Sequence, residues 1–261
     1  MTLLRAIQLK KSFGSVMAAD NVSVDITENE VIGIIGANGA GKTSFVNMIT
    51  GYLKPDSGQI LYEGRDITAL VSRDITRLGI CRSFQVPQVF SSATVFENLL
   101  IALGATQPSL GAMLRPLHQE ERIREAEVLL ERYSLTDYRG QESSLLPQGI
   151  RKLMDIAMAV VSHPRLLLLD EPTSGVSADE KFGIMDTIMT ALKVTKVTTL
   201  FVEHDMEIIG RYAERVLAFY DGGIIADGPP GEVLENDQVR QYVIGEELHR
   251  AATDDQGAGH A

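Results

Sequence analysis

The segment EVIGIIGANGAGKT, Glu30 to Thr43, constrains the fold more than any other part of this 261-residue chain. Its first half is a continuous apolar run, the pattern of a strand buried on both faces of a parallel sheet. Its second half, GANGAGKT from Gly36 to Thr43, has the spacing G-x-x-x-x-G-K-T. Glycines let successive backbone N–H groups turn inward on phosphate oxygens, and a helix predicted over Lys42 to Ile49 adds the positive end of its dipole. Gly36, Asn38, Gly39, Ala40, Gly41 and Ser44 then belong to a phosphate cradle. Lys42 contributes a mobile charge, and the Thr43 hydroxyl is suited to ligate Mg2+.

Composition narrows the class of protein. With 44% hydrophobic residues the chain can bury a substantial core. A formal net charge of −11 offers no basic stripe for a nucleic-acid backbone, so no nucleic-acid partner is expected. The single cysteine, Cys81, excludes an internal disulfide and suits a reducing compartment, where it reads as a buried apolar thiol. MTLLRAIQLKK carries charge inside its short apolar run and lacks a small-residue cleavage site, so no export signal is expected there. The most apolar run, Asp155 to Leu169, is broken by His163, Pro164 and Arg165, short of the roughly 20 residues that span a bilayer. Any membrane association is therefore expected to go through a partner.

Short β-like runs at Leu3–Leu9 and Val22–Ile26 precede the glycine-rich loop, and Gly51 stands where a helix would end. From about Pro87 to His163 the texture is helical. TVFENLLIAL opens with a capping-box pattern, Thr94 with Glu97, and EERIREAEVLLERY is a second helix. GATQPSLGAMLRPLHQ between them reads as an irregular connection. Strands then return in RLLLLDEP, VTTLFVEHD and RVLAFYDGGIIADG, the last with a tight hairpin at Asp221-Gly222. Alternating strands and helices predict an α/β sheet interrupted by a helical insertion. The expected division is a core of residues 1–86 and 164–248, a helical subdomain 87–163, and a small, polar, disordered tail 249–261.

Two further features bear on chemistry. Four leucines in RLLLLDEP lead to Asp170 and Glu171 at the carboxyl end of a strand, where open α/β sheets place their ligands. Asp170 suits the Mg2+ shell, and Glu171 is suited to polarise an attacking water. His204, in FVEHD, ends another apolar run, and Gln85 lies in RSFQ; each is weak evidence alone.

The order glycine loop, glutamine, helix-start motif, acidic pair, histidine resembles the ATP-binding subunit of an ABC transporter, over nearly the whole chain from Leu9 to about Gly245. The resemblance implies a P-loop ATPase core with a mixed sheet, an N-terminal antiparallel β subdomain and a helical subdomain, binding ATP and Mg2+. It makes GANGAGKT the Walker A loop, Gln85 the Q-loop glutamine and a metal contact, LLLLDEP the Walker B strand with Glu171 catalytic, SGVSADE the D-loop and His204 the switch histidine. Phe13, in KKSFG, falls where an aromatic stacks on adenine; from the residues alone it reads equally as a strand-edge core side chain. GICRSFQVPQVF, TVFENLLIA, EHDMEII and GEVLENDQVRQYVIGEE look like the branched-chain amino-acid uptake group, in particular its longer ATPase subunit. That group implies a second ATPase subunit, two integral membrane permease subunits and a periplasmic or extracellular solute-binding protein. It also implies a peripheral position on the cytoplasmic side of a bacterial inner membrane.

In the same family the stretch SLLPQGIRK, Ser144 to Lys152, holds the place of the signature motif, usually L-S-G-G-Q, whose helix start meets the nucleotide held by a partner subunit. Gly149 would make that contact in trans. Here Pro147 replaces the serine, Gln148 the first glycine and Ile150 the glutamine. The group tolerates changes at the first two positions, often reading L-P-Y-G-Q, so Ile150 is the greater departure. Ser177 in the D-loop stands where an acid or amide is common. The expectation is asymmetry: a competent site on this chain's own Walker A loop, and a slower one where its signature completes a partner's site. The alternatives are a catalytically reduced ABC subunit that binds ATP mainly structurally, a soluble non-transport ABC ATPase, and a P-loop kinase or GTPase. No base-reading N-K-x-D motif supports the last.

Overall fold

The computed structural model describes residues 1–83, 88–106 and 118–245. Gln85, most of the connection between the two predicted helices and the tail from His249 lie outside them. The chain divides into two compact units, Met1–Leu78 with the chain from Leu200 onward, and Gly79–Thr199.

In the first unit, β1 (Thr2–Phe13) and β2 (Val16–Thr27) form an antiparallel hairpin, from Thr2 opposite Thr27 to Phe13 opposite Val16. Both strands outrun their predicted apolar cores. The polar end of β1 stays in the ladder by pairing with Ala19, Met17 and Val16 of β2, and its lysines lie beside carboxylates: Lys10 is 3.7 Å from Asp20 and Lys11 2.6 Å from Asp56. The hydrogen bond from Lys11 is the main reason the Asp56 carboxyl lies below its usual range. β4 (Ser57–Tyr62) adds to the other edge of β1, and the short β5 (Arg65–Asp66) pairs with β4. Leu3, Leu4, Ala6, Leu9, Val22, Val24 and Ile26 give this sheet a buried face.

The same unit carries β3 (Val31–Gly36), parallel to β9 (Arg215–Tyr220), which turns back through Asp221-Gly222 into β10 (Gly223–Gly228). Positive φ at both turn residues, 46° and 77°, marks the twisted two-residue turn that Asp-Gly favours. Parallel and antiparallel pairs therefore coexist, and β3 is buried as its composition requires. Helix α1 (Lys42–Ile49) follows β3, and Gly51, at φ 74°, donates to Met48 as the helix ends. A short helix α2 (Ser72–Arg77) closes this stretch.

In the second unit, β6 (Ile80–Ser83) runs parallel to β7 (Leu166–Asp170), with Ile80 opposite Leu166 and Ser83 opposite Leu169. All four leucines of β7 are buried. Around this pair lie α3 (Val95–Ala105), α4 (Glu120–Arg132), α5 (Gln148–Ala159) and α6 (Lys181–Thr195), with α3 packed on α4 and α5, and α5 on α6. The predicted capping box of α3 is complete: Glu97 N–H donates to Thr94 Oγ1 and Thr94 N–H to Glu97 Oε2. Cys81 is buried with its Sγ 3.1 Å from Ser162 Oγ, and burial pushes its thiol pKa up, which suits an inert side chain. Among the described residues no helix is long and apolar enough to cross a membrane.

Candidate functional site

In the first unit the loop between β3 and α1 is built by backbone constraint. Gly36, Gly39 and Gly41 have φ of 152°, 86° and 103°. At Gly41 a Cβ would stand 2.5 Å from the Ala18 carbonyl oxygen, so both conformation and space exclude a side chain there. Gly39 has nothing within 4 Å of the corresponding position, so its outer side is open for close approach to the backbone. The Ala40 N–H donates to Ala37 at 3.1 Å, and the Ala40 carbonyl accepts from Gly222 N–H at 3.1 Å, anchoring the loop on the β9–β10 turn.

Lys42 is 6% exposed, and its Nζ donates to the carbonyls of Gly36 and, at 3.0 Å, Ala37. These carbonyl contacts help satisfy a buried ammonium and seat it against the loop. Helix α1 has neither a side-chain cap nor an acid in its first turn, so its own first turn does not offset the positive potential at its start. Thr43 is exposed and Ser44 partly so.

Two other predicted residues lie in this unit. Phe13, at the tip of the β1–β2 hairpin, is 54% exposed, with Lys11 Nζ 5.6 Å from its ring centroid. That exposure excludes the strand-edge core role and leaves the ring accessible for stacking. His204 follows β8 (Thr198–Val202) and is partly buried. The preceding Glu203 N–H donates to Ile34 at 3.3 Å, on the strand that enters the phosphate loop, and Asp205 caps α7 (Met206–Tyr212).

The second unit holds the acidic pair and the signature stretch. Asp170 ends β7 and is paired with Arg82 of β6 at 2.5 Å, both side chains largely buried. Glu171 follows at φ 49°, a left-handed conformation unusual for a non-glycine residue and concentrated at functional positions. Its carbonyl accepts from Lys152 Nζ at 3.0 Å and from Ser174 N–H at 3.1 Å.

Pro147 caps α5 without a side-chain hydrogen bond, and no acid stands in the first turn, so the helix start presents unblocked N–H groups. Arg151 braces the approach, donating to the Ser144 and Leu146 carbonyls, both at 3.1 Å. Gly149 is buried; a Cβ there would stand 3.0 Å from Ile184 Cδ1 of α6. Gln148 lies over Gly175, where a Cβ would meet its Cγ at 3.4 Å. Ile150 is only partly buried, whereas Leu153, Met154, Ala157 and Val161 are buried.

Arg82 and Lys152 join the site without having been predicted for it. Each had a signal: a cation inside the apolar run GICRS, and a lysine beside the apolar stripe of a helix. No cluster of three or more His, Cys, Asp or Glu able to hold a metal occurs among the described residues. The Thr43 hydroxyl and the Asp170 carboxylate are nonetheless oxygen donors of the kind Mg2+ takes beside phosphates and water.

These features define a phosphate-loop nucleotide-binding protein of the α/β class. The ABC transporter family model matches residues 19–174. LivG of Salmonella typhimurium, a high-affinity branched-chain amino acid transport ATP-binding protein, is 33% identical over 250 residues, covering 94% of this chain and 98% of that protein. A solved ATP-binding cassette of an ABC transporter, in its ADP conformation, matches with TM-score 0.81 and 32% identity over 93% of this chain and 98% of that one. A dimeric cassette in a post-hydrolysis state bound to ADP and Pi shares the fold at TM-score 0.74 and 23% identity, over 87% of this chain and 99% of that one. The chain belongs to the ABC transporter family: it is an ATP-binding subunit and an ATPase of that class.

Proposed function

We propose that this subunit powers an importer of branched-chain amino acids or a related small amide or carboxylate, working at the inner face of the cell membrane. Its partners would be a second ATPase subunit, two permease subunits and a solute-binding protein. The observation that carries the reading is the phosphate loop, with Lys42 buried against Gly36 and Ala37 at the start of an uncapped helix. The solute class rests on likeness to transport ATPases over nearly the full length of both chains.

In this reading the N–H groups of residues Gly36 to Ser44 and the Lys42 ammonium hold the phosphates of ATP, and Phe13 stacks on the adenine. Glu171 accepts a proton from the water that attacks the γ-phosphorus, while the bond to the β-phosphate oxygen breaks and ADP leaves. His204 and Gln85 orient that water and sense the γ-phosphate. Mg2+, when bound, would neutralise charge on the β- and γ-oxygens, held by Thr43 and Asp170, with Gln85 the further contact. In a dimer of cassettes, Gly149 and the start of α5 would face the γ-phosphate held by the partner.

The test uses the complex purified from membranes with its partners. Leucine, isoleucine or valine, presented with the solute-binding partner, is expected to raise ATP hydrolysis above the solute-free rate. Stimulation only by a chemically unrelated solute would reject the importer class proposed here.

Ile150 favours a second element, inequality of the two sites. An amide that would reach toward a partner's phosphate is replaced by a partly exposed apolar side chain. Ile150→Gln, alone and with Pro147→Ser, is expected to raise turnover of the assembled complex by about two- to tenfold, the worth of one or two hydrogen bonds. No rise with either variant would argue for equal sites or for a contact made by backbone alone.

A further inference from the structure

We propose that Lys152 is a positioning residue for Glu171, linking the signature helix to the catalytic base of the same chain; the proposal rests on the reading of Glu171 as that base. Lys152 is 2% exposed, an uncommon position for a lysine and one that requires hydrogen bonds to its ammonium. Its Nζ donates to the Glu171 carbonyl at 3.0 Å. That carbonyl belongs to a residue held at φ 49°, a conformation costly for a side chain with a Cβ and maintained only where neighbours over-determine it.

Among its donors are two from different motifs. Lys152 comes from α5, and the Ser174 N–H, at 3.1 Å, from the start of the D-loop. Further on, D-loop Gly175 packs beneath Gln148, the first residue of the same α5. The helix start, the D-loop and the Glu171 backbone are thus a closed circuit of contacts within one unit. A displacement of α5 as it meets the partner's nucleotide is passed through the lysine stem to the peptide that aims the Glu171 carboxylate. The opposite flank is fixed independently, since the Asp170 carboxylate is paired with Arg82.

Lys152→Met keeps the apolar stem and removes the donor; Lys152→Arg keeps a donor. In the assembled complex, Lys152→Met is expected to lower kcat by roughly 10- to 100-fold, the effect of a small misplacement of a catalytic group. KM and Mg-ATP affinity should stay within about twofold, because nothing bound in the ground state has been removed. Lys152→Arg should recover most of the lost rate. In a Glu171→Gln background Lys152→Met should cause no further loss, since the group it positions is already gone.

Unchanged kcat in Lys152→Met overturns the proposal, as does an equal fall in rate and nucleotide affinity with no rescue by arginine, which would mark a merely structural lysine. If the methionine variant does not fold, Lys152→Gln, which keeps a polar group in the slot but is too short to reach the carbonyl, is held to the same outcomes. The two readings fail separately. Normal turnover in Glu171→Gln removes the base itself, whereas a dead Glu171→Gln beside an active Lys152→Met removes only the link.

Discussion

Glu171→Gln is expected to bind Mg-ATP with near-native affinity and to hydrolyse it about 10²- to 10⁴-fold more slowly, the usual contribution of a positioned general base. The substitution is nearly isosteric, and its backbone carbonyl remains available to Lys152 and Ser174. The left-handed conformation at φ 49° is therefore retained, and only the proton-accepting oxygen is lost. Phosphate release by the assembled complex, measured beside equilibrium nucleotide binding, separates the two quantities. Turnover near the native rate would transfer the role of base to another group, with His204 the next candidate.

The second large effect is expected at the phosphate loop. Lys42→Met should weaken ATP binding by roughly 10- to 100-fold, because a charge-assisted hydrogen bond is worth about 1.5–3 kcal/mol. Some of that loss is local: Lys42 also donates to the carbonyls of Gly36 and Ala37, so its removal loosens the loop. Lys42→Arg serves as a control. A planar guanidinium does not fit a slot in which the native ammonium is 6% exposed, and retained charge should not restore binding. Native affinity in the arginine variant would mean that charge alone suffices and the enclosure of the loop is incidental.

Most local devices were legible in the sequence because their physics is local. The phosphate loop, the Thr94–Glu97 capping box, Gly51 at the end of α1 and the Asp221-Gly222 turn each depend on residues a few positions apart, and each occurs in the structure. Strand lengths were less legible. Leu9 ends the apolar run of β1, yet the strand continues to Phe13 because Lys11, Ser12 and Phe13 pair across the hairpin with Ala19, Met17 and Val16 of β2, a partnership the apolar pattern does not encode. The supports of the acidic pair were not legible for the same reason. Arg82 reaches Asp170 only because β6 and β7 run side by side in one particular register, and a one-residue slip would point the arginine to the other face. Asp170 and Glu171 themselves could be named from their position at the end of a leucine strand.

The contact between Ala40 and Gly222 has a consequence of another kind. The phosphate loop is fastened to a hairpin nearly two hundred residues away in sequence, whose Gly222 carbonyl in turn accepts from Asp20 N–H on β2 at 2.8 Å. β2, the phosphate loop and the distant hairpin thus converge on one peptide turn, and the loop's anchorage is complete only when the hairpin arrives. During synthesis the residues that bind phosphate emerge early, but they become a binding site only once β9 and β10 have joined them. Nucleotide affinity therefore reports on the completeness of the fold, and a truncated product lacking β9 and β10 would not compete for ATP.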